Sequence, residues 1–377
     1  MEKISHFCQV EVEQVISVRD MPSIYQVPVL LEQQGLVPLL KDILKLDASK
    51  MSPVLLKKGN ETWAEWNRLT AVQLFMPDTV NIVLVGKYIE LHDSYLSVIK
   101  SLEHCAMRCN QKLNLLWVDA EHLEEKSRDS EPASFHKAWH EICTADGILV
   151  PGGFGMRGTE GMMAAAAWAR ENKKPYLGIC LGMQIAVIDF ARKVCGLTGA
   201  SSTEFDANCA NPVIIYMPEI DKTKMGGTMR LGLRPTIFQK GSEWSKLRAL
   251  YGENEMIMER HRHRYEVNPD YVERLEQLQQ QEQQGRTVVS GSLSFIGKDD
   301  TGVRMEIIEL RDHPWYVGVQ FHPEYLSRVL RPSKPFLGFV AASAGCLDKI
   351  TKEILVESKQ SANLNGSDGG AVDGAKF

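Results

Sequence analysis

Residues 175–184, PYLGICLGMQ, join a short apolar run to the start of an apolar helical pattern, with a cysteine between two glycines at the junction. A strand-to-helix turn that presents a nucleophile has this arrangement, and it forces the nucleophile into a sparsely populated backbone conformation. The flanking glycines let the strand and the helix approach closely. Cys180 would then lie at a helix N-terminus, where the dipole favours a thiolate, and the Leu181 N–H would face a developing oxyanion. The alternative is a buried structural cysteine in a glycine-rich turn.

A second motif, VGVQFHPE at residues 317–324, is predicted to be a buried strand that ends at Pro323. Side chains two residues apart on a strand point to the same face, so His322 and Glu324 could act together. A base beside a thiol and a carboxylate that orients the base form a nucleophile–base–orienter triad. Alone, this motif could be a strand end with a surface carboxylate, but beside the cysteine turn it favours a Cys–His–Glu triad.

The third motif is LVPGGFG at residues 149–155, where an apolar strand runs into a glycine-rich turn. The backbone N–H groups of such turns bind anions. A phosphate loop is disfavoured because no Lys-Ser or Lys-Thr pair follows at the required spacing. The motif therefore predicts an oxyanion hole made by the N–H groups of Gly153 and Leu181.

From residue 81 onward, strand-like apolar runs alternate with helical patterns. The predicted strands are 82–85, 113–118, 147–150 and 175–179, and the predicted helices are one capped by Asp93, 136–143, 159–171 and 183–194. This alternation predicts an α/β fold, with an open, mostly parallel sheet and helices on both faces. Active sites in such folds lie at the carboxyl ends of the strands, where Gly153 and Cys180 are found.

The chain is predicted to divide into three parts. Residues 1–75 show a helical stretch at 29–46 but no core of their own, and are interpreted as the end of a neighbouring domain with its linker. Residues 76–350 form the main domain, in which a glutamine-rich run at 277–284 either extends a helix or forms a solvated loop. Residues 351–377 end in Ser, Asn, Gly and Asp, which is typical of a disordered tail.

The overall composition is that of an ordinary globular protein. The 377 residues carry a formal net charge of −5, and 44% are hydrophobic and 24% charged, which gives no reason to expect nucleic-acid binding. The eight cysteines form no C-x-x-C pair, so neither a disulfide framework nor a zinc site is indicated and a reducing, cytoplasmic setting is predicted. No apolar run approaches the length that spans a membrane, and no signal peptide is predicted.

The three motifs, in this order, resemble the class I glutamine amidotransferase domain. GGTMRLG at residues 226–232 and ERHRHRYEVN at 259–268 narrow the resemblance to the C-terminal half of the CTP synthase family, and residues 1–28 resemble the end of that family's synthetase domain. The similarity extends to about residue 345. GMP synthase and carbamoyl-phosphate synthase share such a triad, but the two additional motifs argue against those enzymes.

The resemblance implies a set of glutamine-binding residues, which are Gly153, Leu181, Gly182, Met183, Gln184, Glu204 and Arg264. Glu204 would bind the α-amino group of glutamine. Arg264 would bind its α-carboxylate, because a guanidinium can grip a carboxylate with two parallel hydrogen bonds. Lys3 matches a lysine at the family's pyrimidine-nucleotide site, although it could also be a solvated terminal lysine.

The alternating run RHRHR at residues 260–264 could instead be a basic nucleic-acid patch or a metal cluster. On a strand, His261 and His263 would share one face and the arginines the other. Two histidines without a third ligand in the motif make a poor zinc site. No metal site is therefore predicted in this chain.

The resemblance implies that the Cys180 thiolate hydrolyses L-glutamine, and that the complete enzyme uses the ammonia to aminate UTP to CTP with ATP and Mg²⁺. It also implies activation by GTP and assembly into a homo-oligomer, as a tetramer or filament. The sequence contains no P-loop, so it is interpreted as a short form or fragment with no cofactor of its own, limited to the glutaminase half-reaction. The alternative is a regulatory or assembly partner of the full-length enzyme.

Overall fold

The computed structural model describes residues 1–47, 51–72, 78–217, 229–283 and 292–367. It divides into two compact units: one comprises Met1–Asp78 with Asn110–Lys112, and the other comprises Thr79–Cys109 with Leu113–Phe377. The boundary predicted between residues 75 and 76 lies outside the described residues. None of the described helices is both long and apolar enough to cross a membrane.

The first unit is helical, with α1 (Glu2–Cys8), α2 (Val27–Gln33), α3 (Leu36–Ile43) and α4 (Pro53–Val72). The continuous helix predicted over residues 29–46 is wrong, because Gly35 adopts a left-handed conformation with φ 78° and separates α2 from α3. Among the described residues of this unit, the buried apolar side chains are Tyr25 and Leu69. The Trp66 indole N–H donates to the Tyr25 carbonyl at 3.0 Å and fixes α4 to the turn before α2.

The second unit contains the remaining described elements, except that Lys112, the first residue of β2, is grouped with the first unit. Its helices are α5 (Leu96–Arg108), α6 (Glu125–Ser130), α7 (Pro132–Thr144), α8 (Thr159–Glu171), α9 (Leu181–Lys193), α10 (Lys246–Leu250), α11 (Pro269–Gln283), α12 (Lys334–Ser343) and α13 (Leu347–Ser367). Its strands are β1 (Thr79–Gly86), β2 (Lys112–Asp119), β3 (Gly147–Val150), β4 (Tyr176–Ile179), β5 (Ala200–Ser202), β6 (Asn211–Tyr216), β7 (Arg230–Phe238), β8 (Met256–His263), β9 (Tyr265–Val267), β10 (Leu293–Lys298), β11 (Met305–Leu310) and β12 (Tyr316–Val319).

The predicted α/β fold is confirmed. Among the described residues, nine strands form one sheet in the order β2-β1-β3-β4-β12-β11-β10-β7-β8, and β5, β6 and β9 form a small second sheet. The pairs β1–β3, β3–β4 and β4–β12 are parallel, whereas the strands from β12 to β8 pair antiparallel. The strand ends that carry the three sequence motifs therefore meet at one edge of the parallel half.

Helices cover both faces of this sheet, as the continuous apolar runs predict. Along β1, Val83 and Val85 join the core formed with α8 and α9, while Ile82 and Leu84 join the core formed with α5 and α12. All four side chains are fully buried. The two cores pack against opposite faces of the parallel strands, so a site can form at the carboxyl ends of these strands.

Three local predictions need correction. Asp93 does not cap a helix, because a short 3₁₀ turn at His92–Tyr95 precedes α5 and Tyr95 occupies the cap position. The strand predicted from residue 317 ends at Val319, so His322 and Glu324 lie beyond it, at a 3₁₀ turn over Pro323–Leu326. The tail is not disordered from residue 351, because α13 continues to Ser367.

The reason for the helical tail is burial of its first turns, where Ile350 and Ile354 join the hydrophobic core. Residues 368–377 lie outside the described part of the chain. The glutamine-rich run extends α11 as far as Gln283, which is the helical alternative of the two predicted, and Gln284 lies outside the described residues.

Candidate active site

Cys180 occupies the turn between β4 and α9. Its backbone has φ 51° and ψ −100°, a strained conformation for a residue with a side chain, and it is the N-cap residue of α9. Its N–H donates to the Val319 carbonyl at 2.7 Å, which anchors the turn to β12. The strain is therefore held in place by the adjoining strand, and the thiol is presented at the positive end of a helix.

The two glycines around Cys180 are required by close backbone packing. A Cβ on Gly178 would lie 2.6 Å from the Gly182 carbonyl, and a Cβ on Gly182 would lie 2.1 Å from the Val150 carbonyl oxygen. Contacts this short cannot be relieved by rotating a side chain. The glycine spacing of the motif thus reflects how closely β3, β4 and α9 pack.

His322 and Glu324 are brought together by the 3₁₀ turn. The Nδ1–H of His322 donates to Glu324 Oε1 at 2.7 Å, and both side chains are buried. The His322 backbone N–H donates to the Arg260 carbonyl on β8 at 2.7 Å. His322 Nε2 forms no hydrogen bond with the residues that the structure describes, so the nitrogen opposite the carboxylate is available for proton transfer.

The electrostatic environment favours a protonated His322. Burial opposes a charge on the ring, but the Glu324 carboxylate and the Cys180 side chain outweigh it and raise the pKa of His322 well above its usual value. An imidazolium stabilises a neighbouring thiolate. The arrangement therefore favours a protonated His322 ring beside the Cys180 side chain.

Gly152 is the point at which the nucleophile and the base meet. A Cβ on Gly152 would lie 2.8 Å from His322 Cε1 and 3.6 Å from both His322 Nε2 and Cys180 Cβ. Any side chain there would displace the histidine ring. Sequence reasoning selected Gly153 and missed this role, although the paired glycines were a signal for it.

The two predicted oxyanion donors are neighbours. A Cβ on Gly153 would lie 3.3 Å from Leu181 Cδ2. Within the described residues, neither the Gly153 N–H nor the Leu181 N–H donates a hydrogen bond. Two unpaired N–H groups beside a nucleophile are what an oxyanion hole needs.

Glu204 and Arg264 both contact the glycine-rich loop of residues 152–155. Glu204 Oε1 accepts a hydrogen bond from the Gly155 N–H at 2.8 Å. The Arg264 guanidinium lies 5.5 Å from the centroid of the Phe154 ring, and its Nε is buried without a hydrogen bond among the described residues. The two residues of opposite charge therefore flank the same loop.

Lys87 supports that loop and was missed by sequence reasoning. Its ammonium donates to the Phe154 carbonyl at 3.2 Å and to the Gly155 carbonyl. Burial lowers the pKa of Lys87 to about 8, while the nearby Glu204 carboxylate opposes this change. The available signal was its position directly after β1, at the strand edge that also carries the other motifs.

The side-chain amides of Gln184 and Gln320 form a buried chain of contacts that ends at the Cys180 thiol. Gln184 Nε2 donates to the Tyr265 carbonyl at 3.1 Å and to Gln320 Oε1 at 3.2 Å. Gln320 Nε2 in turn lies 3.6 Å from Cys180 Sγ. The Gln184 side chain is thus occupied by protein groups, and Gln320 is a residue near the sulfur that sequence reasoning did not identify.

The other predicted residues differ in their placement. Met183 is fully buried, so only its backbone could reach a substrate, and the Gly182 carbonyl accepts a hydrogen bond from the Tyr176 hydroxyl at 2.8 Å. Lys3 is exposed on α1, and its role stays a prediction. Residues 226–228 of the GGTMRLG motif lie outside the described residues.

The predicted alternation is confirmed for residues 260–263 on β8, where His261 and His263 are buried and Arg260 and Arg262 are exposed. Arg264 lies beyond β8 and is half-buried, so the prediction does not hold for it. Burial is the main cause that lowers the pKa of His261 to about 2 and that of His263 to about 3, so both rings are neutral at neutral pH. A third donor, absent from the motif, comes from Glu306 on β11.

Comparison with known proteins agrees with this geometry. The family described as glutamine amidotransferase class-I matches residues 90–342, and the family described as CTP synthase N-terminus matches residues 1–46. A CTP synthase of Neurospora crassa is 62% identical over 377 residues, which are 100% of this chain and 61% of that protein. A CTP synthase of Schizosaccharomyces pombe is 59% identical over 349 residues, which are 93% of this chain and 56% of that protein.

Among solved structures, the glutaminase domain of Trypanosoma brucei CTPS with bound acivicin is 37% identical, with a TM-score of 0.60. The alignment covers 71% of this chain and 94% of that one. The chain spans about three fifths of the length of the curated relatives it matches. These matches show that the chain belongs to the class-I glutamine amidotransferases and, within them, to the CTP synthase family.

Proposed function

We propose that this chain hydrolyses L-glutamine to L-glutamate and ammonia, with Cys180 as the nucleophile. The observation that carries the proposal is the position of His322, whose Nδ1 is bound to Glu324 while its Nε2 is left free beside the strained cysteine turn. A nucleophile, a base and a group that orients the base are the parts that amide hydrolysis requires.

In the first step, the Cys180 thiolate attacks the side-chain amide carbon of glutamine. The N–H groups of Gly153 and Leu181 stabilise the oxyanion that forms on the amide oxygen. The intermediate collapses as His322 transfers a proton from Nε2 to the departing nitrogen, which leaves ammonia and a glutamyl thioester. Glu324 stabilises the imidazolium and fixes the tautomer through the Nδ1–H.

In the second step, a water molecule replaces ammonia. His322 removes a proton from the water through Nε2, and the hydroxide attacks the thioester carbon. The second tetrahedral intermediate uses the same two N–H donors. Its collapse releases glutamate and restores the thiolate–imidazolium pair.

Recognition of glutamine is assigned to the two charged residues that flank the glycine-rich loop. Arg264 would bind the α-carboxylate through its guanidinium, and Glu204 would bind the α-amino group. The placement of both residues against the loop supports these roles, because that loop also carries the Gly153 donor. Lys87 would keep the loop in the conformation in which the donor faces the substrate.

In the complete enzyme, we propose that the ammonia aminates UTP to CTP with ATP and Mg²⁺, that GTP stimulates glutamine hydrolysis, and that the protein assembles as a homo-oligomer, a tetramer or filament, in the cytoplasm. The CTP synthase relatives support this wider role. Lys3 would contribute to the pyrimidine-nucleotide site. The comparisons give no support to the alternative in which the chain acts only as a regulatory or assembly partner.

The proposal is tested by measuring ammonia release from glutamine by the purified chain, with and without GTP. Cys180→Ala should abolish release, while Cys143→Ala, which alters an exposed cysteine elsewhere, should leave it unchanged. Acivicin, the ligand named for the T. brucei domain, should protect Cys180 from alkylation by iodoacetamide. Release of ammonia at the parent rate by Cys180→Ala would exclude the assigned nucleophile.

A further inference from the structure

The buried face of β8 holds a cluster of donors that the triad does not use. His261 and His263 come from this strand, and Glu306 comes from β11; all three side chains are buried. One donor atom from each residue lies within 4.8 Å of the others. Among the described residues, no other group of three His, Cys, Asp or Glu residues brings its donor atoms this close together.

The hydrogen bonds around His263 orient its free electron pair toward the cluster. Its Nδ1 lies 3.0 Å from the Tyr265 carbonyl, which can only accept, so the proton resides on Nδ1 and Nε2 carries the lone pair. A metal-binding histidine is commonly held in this way, with its other ring N–H bound to a backbone carbonyl. His263 is therefore prepared as a neutral Nε2 ligand.

His261 and Glu306 complete the set at distances that suit a small cation. His261 Nδ1 lies 3.1 Å from His263 Nε2 and 3.6 Å from Glu306 Oε2. Donors about 2.0–2.1 Å from a tetrahedral Zn²⁺ are separated from one another by about 3.3 Å. The two separations from His261 Nδ1 lie on either side of that value, and all three donor atoms lie within 4.8 Å of one another.

Protein groups alone do not provide hydrogen bonds for all the polar atoms of the cluster. Without a cation, the His261 Nδ1–H can donate to His263 Nε2, and cation binding by Nδ1 requires that proton to lie on His261 Nε2 instead. In either case, neither carboxylate oxygen of Glu306 has a hydrogen bond with a described residue. Arg230 approaches the other oxygen, Oε1, at 3.4 Å and leaves Oε2 facing the histidines. A buried carboxyl group without hydrogen bonds is costly to ionise, and a bound cation offsets that cost.

We propose that His261, His263 and Glu306 bind one Zn²⁺ ion. Two histidines and one carboxylate are an established zinc ligand set, and the fourth position is then taken by water. The ion links β8 to β11, two strands that are separated in the sheet by β10 and β7. Its main effect is structural, because it holds the end of β8 against β11.

The consequence reaches the triad through the β8 backbone. The Arg260 carbonyl accepts the His322 N–H at 2.7 Å, and the Arg262 carbonyl lies 4.0 Å from Cys180 Sγ. An ion that fixes His261 and His263 therefore fixes the two carbonyls that alternate with them along the strand. The binding of zinc itself does not depend on the proposed glutaminase reaction.

The first experiment measures zinc on the full chain, purified without a polyhistidine tag, stripped with chelator, reloaded with ZnCl₂ and dialysed. We expect one tightly held Zn²⁺ per chain by elemental analysis, and a higher melting temperature in the loaded protein. Zinc that is lost on dialysis, with no change in melting temperature, would refute the proposal.

The second experiment compares matched variants. Glu306→Gln and His263→Gln should weaken zinc binding by at least about 100-fold, since even neighbours of metal ligands change affinity 10- to 100-fold. His313→Gln is the control, because His313 is also buried but bonds the Ala169 carbonyl at 3.0 Å away from the cluster. Equal loss in the control, or undiminished binding in both cluster variants, would contradict the assignment.

The third experiment uses the cluster unchanged, so it does not depend on whether variants of the cluster fold. Co²⁺ loaded in place of Zn²⁺ should give the visible absorption of a four-coordinate nitrogen and oxygen site, without a thiolate-to-metal charge-transfer band. The same spectrum should appear in Cys180→Ala. A thiolate band that disappears in Cys180→Ala would place the ion at the Cys180–His322 pair and overturn the proposal.

Discussion

The nucleophile turn, residues 178–182, and the recognition loop, residues 152–155, lie side by side but are built differently. The turn is closed by backbone-to-backbone contacts, and Cys180 is only 4% exposed. The loop is held by side chains from separate elements, namely Lys87, Glu204 and Arg264, and its Phe154 is 39% exposed. A rigid turn suits a reaction whose geometry must be prepared in advance, whereas a loop held by side chains suits the binding of a charged substrate.

This difference predicts that changes in the two regions affect kcat and KM separately. Changes in the turn and its base should lower kcat, because their interactions strengthen in the transition state. Changes in the loop and its charged neighbours should raise KM, because glutamine's α-groups are bound equally before and during reaction. The predictions that follow test this division.

The largest effect is expected for Cys180→Ala. Removal of the nucleophile should lower kcat for glutamine hydrolysis by at least about 10⁴-fold, because the covalent route is lost. Glutamine binding, measured by calorimetry, should stay within about threefold of the parent, since the recognition residues are untouched. Loss of binding in a variant with an unchanged melting temperature would show that the two regions are not separable.

A smaller loss of kcat, about 10²- to 10⁴-fold, is expected for Glu324→Gln. The carboxylate is one of the groups that raise the pKa of His322, so its removal lets burial dominate and lowers that pKa. A ring with a lower pKa is protonated less often, so it stabilises a neighbouring thiolate less. Alkylation of Cys180 by iodoacetamide should therefore slow at pH 7, and its pH profile should shift upward toward an ordinary thiol.

The control for this variant is Glu125→Gln, because the Glu125 side chain is 87% exposed. Its alkylation profile should match that of the parent. A profile for Glu324→Gln that also matched the parent would mean that the carboxylate does not set the charge of His322.

On the recognition side, Arg264→Ala should raise KM for glutamine about 10- to 150-fold, the equivalent of roughly 1.5–3 kcal/mol for a lost charge-assisted hydrogen bond. Arg264→Lys should restore only part of the affinity, since an ammonium cannot make the two-pronged contact. Glu204→Gln should behave like Arg264→Ala through the α-amino group. A normal KM with a lowered melting temperature would make Arg264 a brace for β8 and its neighbours.

The smallest effect is expected for Phe154→Leu. The ring lies under the Arg264 guanidinium, and an exposed cation–π contact contributes about 0.5–1 kcal/mol. KM should rise about two- to fivefold while kcat stays unchanged. A fall in kcat with KM unchanged would place the loop with the nucleophile turn and remove the distinction between them.

Much of the site follows from local patterns. The glycines at residues 178 and 182 are needed within one strand, turn and helix, and the alternation on β8 is a property of that strand alone. The sequence analysis paired His322 with Glu324 correctly but predicted the wrong secondary structure for both residues. They meet at a 3₁₀ turn rather than on a strand face, because β12 ends at Val319.

The contributions that sequence reasoning missed come from distant parts of the chain. Gly152, Lys87 and Gln320 gain their roles only when three strand ends meet at one edge of the sheet. Glu306 reaches the histidines of β8 across two intervening strands. The helical start of the tail depends on burial of Ile350 and Ile354, which a composition rich in small polar residues conceals.

The sequence by itself determined the α/β fold, the strained cysteine turn and the residue types of the triad. These depend on short-range sterics and on hydrophobic periodicity, both of which act between neighbours along the chain. Only the tertiary structure decided which donors support the glycine-rich loop, which amide faces the sulfur and which carboxylate joins the two histidines. Those contacts depend on sheet order and burial, and a one-dimensional pattern carries neither.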